Sequence, residues 1–198
     1  PAIARQDGVL VKTGNASRRL LGFLYTNGAG TGQDTAAERY LANQYNARAK
    51  TVRALLDVAS TFTQTANSAA FVTPSAAPDS VRNGKGRVSF ITPYEKVMIN
   101  VMWATGGYAA SEASVALNLA QNLITITTAS GPVAESDSAF TQATSYTSIF
   151  ANLNSYSKTV GFNYIQKLVY AGVNFTIWVG STNSSGVFQY GLRGAICL

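Results

Sequence analysis

The dominant repeat along the chain is two. Residues 51–58 place Val52, Ala54, Leu56 and Val58 on one side. Residues 95–103 put Val97, Ile99, Val101 and Trp103 on one face, against Lys96, Met98, Asn100 and Met102 on the other. Residues 162–170 alternate, with Phe162, Tyr164, Gln166, Leu168 and Tyr170 together, and so do 173–179, with Val173, Phe175, Ile177 and Val179. The last stretch, 187–198, sets Phe188, Tyr190, Leu192, Ile196 and Leu198 on one face, which predicts a final strand pinned into a sheet with Leu198 inward. Successive side chains of a strand point to opposite faces, so each of these segments reads as a strand. Shorter apolar runs predict further strands at 8–12, at 18–25 as a buried strand, at 87–92 up to Pro93, and at 115–120 and 123–128 as a pair joined near Gln121-Asn122. Turn chemistry punctuates the chain at Lys12-Thr13-Gly14-Asn15, Gly106-Gly107 and Ala171-Gly172. Longer connections are expected at 27–32, 74–86 and 130–145.

The period changes once. Across 34–46, Ala37, Tyr40, Leu41 and Tyr45 recur at helical spacing, Asp34 is placed to cap free N–H groups, and Arg48 and Lys50 follow the far end. This predicts one short α-helix in the N-terminal half. The whole reads as a mostly β chain: an antiparallel β-sandwich, jelly-roll-like, with that single helix. It is expected to be one domain over 1–198, with residues 1–7 a lead-in from an upstream segment.

Composition narrows the chemistry. Charged residues make up 12% of the 198, about half the usual ~25%, and Ser, Thr, Asn and Gln supply close to a third, so the surface is built largely from neutral polar groups. There is no histidine, which removes Ser-His-Asp and Cys-His catalysis and imidazole metal sites. One cysteine, Cys197, allows no intrachain disulfide and no Cys-based zinc site. The formal charge of +6 is spread from Arg5 to Arg193, with Arg18-Arg19 the one adjacent basic pair. That describes solvated faces rather than a nucleic-acid footprint. No apolar run approaches the ~18 residues of a membrane span, so no membrane insertion is expected.

Candidate reacting groups are few. Glu95, Glu112, Asp137 and Asp57 are the acids from which a glycosidase pair would have to come, and they stand in no hydrolase pattern. Gly28-Ala29-Gly30-Thr31-Gly32 lacks the Gly-Lys-Ser/Thr ending of a phosphate cradle. The reading is therefore of a protein with no catalytic residues, no cofactor and no metal. The aromatics offer more. Core packing accounts for most of them, but Tyr94, Tyr108, Tyr146, Tyr156 and Trp178 are candidates for exposure and for contact with a receptor or a subunit. Met98 and Met102, with Lys96 and Asn100, form a mixed face suited to a subunit seam.

Three segments carry a resemblance. Gln6-Asp7-Gly8-Val9-Leu10-Val11-Lys12-Thr13-Gly14 leads into Arg18-Arg19-Leu20-Leu21-Gly22. Gly32-Gln33-Asp34 leads into Glu38-Arg39-Tyr40-Leu41-Ala42-Asn43-Gln44-Tyr45-Asn46-Ala47-Arg48. Phe162-Asn163-Tyr164-Ile165-Gln166 is followed by Trp178-Val179-Gly180 and Gln189-Tyr190-Gly191-Leu192-Arg193-Gly194-Ala195-Ile196. In this order they resemble the C-terminal jelly-roll-like domain of bacteriophage virion surface proteins of the tail-fibre, spike and head-decoration kinds. The resemblance implies a non-enzymatic homotrimer located in the virion. It would serve as a fibre or spike tip attaching to a host-surface glycan or protein, or as a capsid decoration protein that stabilises the shell beside other virion proteins. A carbohydrate-binding module outside any virion is the reading from another class.

Overall fold

The computed structural model describes residues 3–7, 9–26, 34–36, 38–43, 48–55, 61–64, 70–72, 87–94, 96–109, 114–123, 125–127, 136–137, 139–142, 147–157, 159–172, 175–178 and 191–198. The expected connections at 27–32 and 74–86 lie outside them, as do Tyr146, Glu95, Glu112 and Asp57. The strands in chain order are β1 (Ile3–Gln6), β2 (Val9–Lys12), β3 (Asn15–Arg19), β4 (Gly22–Leu24), β5 (Glu38–Arg39), β6 (Leu41–Asn43), β7 (Ala49–Leu55), β8 (Thr61–Gln64), β9 (Ala70–Val72) and β10 (Arg87–Thr92). They continue as β11 (Met98–Ala109), β12 (Ser114–Gln121), β13 (Thr125–Thr127), β14 (Ser136–Asp137), β15 (Ala139–Gln142), β16 (Thr147–Tyr156), β17 (Gly161–Ala171), β18 (Phe175–Trp178) and β19 (Gly191–Cys197).

The protein is mostly β, and nearly all of its pairing is antiparallel. Sheet I runs β13-β9-β17-β10-β5, with β12 joining β17 and β15. Sheet II is built on β11, which pairs with β16 along most of its length. On its other side β11 pairs first with β19 and then with β18. Beyond β19 lies β7, beyond β18 lies β8, and β14 pairs with β16. A three-stranded meander β1-β2-β3 and a two-stranded ribbon β4-β6 complete the described structure. The turn predicted at Lys12 to Asn15 closes the β2-β3 hairpin, with Gly14 at a positive φ of 76°.

One buried cluster takes side chains from both large sheets. Val88 and Phe90 (β10), Leu117 and Leu119 (β12), and Ile165 and Val169 (β17) come from sheet I. Val52 and Ala54 (β7), Ile99, Val101 and Trp103 (β11), Leu153 (β16), and Leu192 and Ile196 (β19) come from sheet II. The alternation read in residues 95–103 is the alternation observed: Val97, Ile99, Val101 and Trp103 are all buried. The last strand is pinned as expected. Leu198 is buried, its N–H donates to the Arg48 carbonyl at 3.0 Å, and its carbonyl accepts from the Arg48 N–H at 2.9 Å.

Several expectations are corrected. There is no helix among the described residues, and β5 and β6 occupy the centre of the segment predicted to be one. Glu38, Tyr40 and Ala42 are buried while Leu41 and Asn43 are exposed, so a period of two overrides the helical spacing. Tertiary pairing decides it. β5 adds in parallel to β10, and Arg39 donates from Nε at 3.0 Å, and from Nη2, to the Thr51 carbonyl of β7 in sheet II. Asp34 sits beside this clasp, 3.5 Å from Arg39 Nη1 and 3.1 Å from Lys50 Nζ, so it is an ion-pair partner and not a helix cap. Gly106-Gly107 makes no turn: β11 passes straight through, with Gly106 opposite Ser148 on one side and Trp178 on the other.

The 18–25 run is not one buried strand. Arg18, Arg19, Leu21 and Leu24 are exposed, the strand breaks at Leu20-Leu21, and of this run Phe23 packs on the core. β12 and β13 are strands but not partners, since β12 pairs with β15 and β17 while β13 pairs with β9. The expected surface loop at 130–145 contains β14, which belongs to sheet II, and β15, which belongs to sheet I.

Two of the buried polar side chains bear directly on this frame. Asn163 is fully buried and satisfied. Its Nδ2 donates to Thr92 Oγ1 (3.0 Å) and to the carbonyls of Thr159 (2.9 Å) and Gly161 (3.0 Å). Its Oδ1 accepts from Gln121 Nε2 (3.3 Å), Asn122 Nδ2 (2.8 Å) and Thr159 Oγ1 (2.9 Å). Asn122, at a φ of 59°, fixes the same corner by accepting from the Tyr164 N–H at 2.8 Å. An amide buried without partners costs on the order of 1–3 kcal/mol, so this set of bonds ties the ends of β10, β12 and β17 together instead of weakening them.

Lys167 is the second. It lies on the face of β17 that carries Ile165 and Val169, with its ammonium 5.6 Å from the Trp103 ring centroid. Burial lowers its pKa from the ordinary 10.5 to about 8.

Two outcomes follow. Gly194 of β19 faces β11 so closely that an added Cβ would overlap the Asn100 carbonyl oxygen and the Val101 backbone. Gly194→Ala is expected to cost about 3 kcal/mol in denaturant unfolding, because neither neighbour is a flexible side-chain end. For Lys167, between about pH 8 and 10.5 the unfolded chain keeps the proton that the folded chain releases. Stability should therefore rise across that window and be insensitive to this group below it. Lys167→Met should raise the melting temperature at pH 7 and flatten that rise, measured as the difference between the two proteins from pH 7 to 10.

Candidate binding surfaces

β11 divides its residues between two environments. Ile99, Val101, Trp103 and Thr105 point into the core, so Met98, Asn100, Met102 and Ala104 share the opposite, outer face of sheet II. The registers extend that face sideways. Met98 stands opposite Tyr156, Asn100 opposite Asn154 and Ala195, Met102 opposite Asn152 and Arg193, and Ala104 opposite Phe150. Gly106 stands opposite Trp178 and Tyr108 opposite Thr176. On the far side, Arg193 faces Arg53 and Ala195 faces Thr51.

Three residues picked from sequence as receptor or subunit contacts therefore fall on one sheet face, Met98, Met102 and Tyr156, while Tyr108 and Trp178 are placed by strand register, opposite Thr176 and Gly106. Met98 is 48% exposed and Tyr156 58%, and Met102 is half-buried. Phe150, which sequence reasoning missed, is 57% exposed in the same field. Its signal was available, since it has the parity of Asn152, Asn154 and Tyr156 in β16. Tyr94 does not belong here, because it is half-buried and packs against the core. Tyr146 lies outside the described residues.

A second surface lies on the outer face of sheet I, where no local pattern in the chain announces it. Ser89 of β10 stands between Glu38 of β5 and Tyr164 of β17. In the next row Phe162 stands opposite Ile91. The Tyr25 N–H donates to the Tyr40 carbonyl at 3.0 Å, which brings in a fourth aromatic ring. The Tyr25 and Tyr40 centroids are 5.0 Å apart at 64°, Tyr25 and Phe162 are 5.2 Å apart at 35°, and Phe162 and Tyr164 are 6.3 Å apart at 45°. The Arg87 guanidinium lies 5.1 Å from the Tyr164 ring centroid.

Tyr40 is the buried floor of this cluster. Burial, then the Glu38 charge, push its phenol up, so the hydroxyl stays protonated and donates to Glu38 Oε1 at 3.4 Å. Above the floor, Tyr25 is 42% exposed and Phe162 38%. The misread helix hid this arrangement, because only an extended 38–40 puts Glu38 and Tyr40 on the same side.

No cluster of three potential metal ligands exists among the described residues. Asp137, one of the acids considered for a hydrolytic pair, sits in β14 opposite Asn152. No protein-family model matches the chain, and no curated protein matches it either.

Proposed function

We propose that this chain is a non-enzymatic structural domain of a bacteriophage virion, a homotrimeric fibre or spike tip that attaches the particle to the host surface. In this reading the two large sheets form a jelly-roll-like sandwich, and the outer face of sheet II is the seam between subunits. The observation that carries the proposal is the make-up of that face. Met98, Phe150 and Tyr156 are each about half exposed on a face whose other members include Met102, Asn100, Asn152, Asn154 and Ala104, with Arg193 and Arg53 toward its far side. Isolated exposed apolar residues are ordinary, but three large ones on one sheet face, with Met98 directly opposite Tyr156, mark an interaction surface. Methionine and aromatic residues are also enriched in the cores of protein interfaces. The three sequence segments that resemble virion surface proteins supply the biological setting. Capsid decoration is the alternative within the same setting, since a trimer with such a seam would serve a shell equally well.

Light scattering on the purified chain is expected to give three times the chain mass. Phe150→Lys should reduce the species to one chain without unfolding it, because a lysine at that position is tolerated by water but not by a seam. Hydrogen peroxide should oxidise Met98 slowly in the wild-type trimer and rapidly in Phe150→Lys, read by peptide mass spectrometry. Free wild-type trimer should block phage adsorption to host cells. A monomeric wild type would overturn the oligomer. A trimer that leaves adsorption unchanged but binds emptied capsids and raises their melting temperature would move the protein from the tail to the head.

A further inference from the structure

The aromatic cluster on sheet I is built differently from the seam. Its rings are not isolated on a flat face. Tyr25, Tyr40, Phe162 and Tyr164 contact one another at angles of 35° to 64°, so their exposed portions form a faceted platform. The platform is held from below. Glu38 and Ser89 are both more than nine-tenths buried, Glu38 bonds the Tyr40 hydroxyl, and Tyr40 in turn packs under Tyr25 and Phe162. At one edge Arg87 is fixed over Tyr164, with its planar set of donors half-buried beside the rings. On the β4-β6 ribbon, Leu24 and Leu41 stand opposite each other with parity opposite to Tyr25, so aliphatic surface is kept off the platform.

We propose that this platform is a saccharide site that binds a neutral pyranose. The exposed parts of Tyr25 and Phe162 stack against the apolar C–H face of the ring, and Arg87 donates hydrogen bonds to adjacent hydroxyls. Glu38, Ser89 and Tyr40 are positioning residues that lock the rings in place before the sugar arrives, which reduces the ordering cost of binding. Three observations select this occupant. Only about two-fifths of Tyr25 and of Phe162 is open, which suits a small ring and not a broad protein face. A guanidinium lies over the outermost ring of a tilted aromatic cluster, the pairing that meets a ligand with one apolar face and a hydroxyl rim. The Glu38 charge acts on the Tyr40 hydroxyl more strongly than that of Arg87, so the floor of the platform leans negative and a neutral sugar is favoured over an acidic one.

This goes beyond the virion reading and gives host attachment a ligand class, but the sugar contact stands or falls independently of where the protein is located. The test is saturation-transfer NMR on the whole chain with methyl β-glucoside, methyl β-galactoside and methyl α-mannoside at millimolar concentration, and N-acetylneuraminic acid as the acidic probe. Transfer to the ring C–H protons of at least one neutral glycoside is expected. Phe162→Leu and Arg87→Gln should each weaken binding about tenfold or more with unchanged melting temperature. Phe150→Ser, on the other sheet, should leave binding unchanged.

Absence of transfer to every neutral glycoside overturns the site. So does binding that survives both Phe162→Leu and Arg87→Gln, or a preference for the acidic sugar. If the wild type blocks phage adsorption and both variants block it equally well, attachment stands and the sugar site falls. If the glycosides bind at the platform while adsorption is untouched, the sugar site stands and the attachment reading falls.

Discussion

Strand β11 is the constraint on which the rest depends. It has β16 on one side and two successive partners, β19 and β18, on the other. A strand hydrogen-bonded on both edges cannot slip by one residue without moving its whole apolar set to the wrong face. Its parity is therefore fixed twice, and with it the identity of both environments. Ile99, Val101 and Trp103 must meet sheet I, and Met98, Asn100 and Met102 must face away. The core and the proposed seam are two readings of one register. Gly194 reinforces this, because β19 approaches the Asn100–Val101 backbone where only a hydrogen fits.

The two sheets are also joined by polar means. Arg39 belongs to β5 on sheet I yet bonds the Thr51 carbonyl on β7 of sheet II. Lys167 reaches from β17 to the ring of Trp103 on β11. The first contact sits at an edge, where it satisfies backbone that would otherwise invite pairing with another chain. The second is internal and costly to the charged form, which the lowered pKa expresses. Asn163 is the opposite case, a buried amide with bonds to both of its polar atoms. Buried polarity here is thus of two kinds, one that fixes geometry and one that trades stability for whatever the lysine contributes.

What the sequence revealed follows from how far apart its two signals were. In the first half of β11 and at Leu192, Ile196 and Leu198 near the end of the chain, the alternation is between apolar and polar side chains, and the assignment of faces was legible in the sequence. In β17 both sides are rich in apolar groups, and parity alone could not say that Ile165 and Val169 face the shared core while Phe162 and Tyr164 face outward. Residues 34–46 predict a helix because Ala37, Tyr40, Leu41 and Tyr45 fit a 3.6 spacing. The structure uses Tyr40 and Ala42 instead and leaves Leu41 outside, an outcome set by pairing with β10 and β4 that no local window contains. Gly106-Gly107 misled for a similar reason, since glycines flanked by strands on both sides are held extended by their neighbours. The outer face of sheet II was largely legible because its members lie in strongly alternating strands. The sheet I platform was not, because it joins residues more than a hundred positions apart.

The placement of β19 has a kinetic side. Residues 191–198 come last from the ribosome among those described, yet they fill the middle of sheet II, between β7 and the first half of β11. Until they arrive, two long strand edges and the inner faces of Val52, Ala54, Ile99 and Val101 stay open to water and to other nascent chains. Closing that gap joins β19 to segments far upstream, as in the pairs Ile196 with Lys50 and Ile196 with Ile99, a slow search by the usual dependence of rate on sequence separation. Vulnerability to clumping should thus be concentrated in the interval between synthesis of β16 and delivery of β19, which makes translation tempo and holding chaperones matter more for this protein than its finished architecture would suggest.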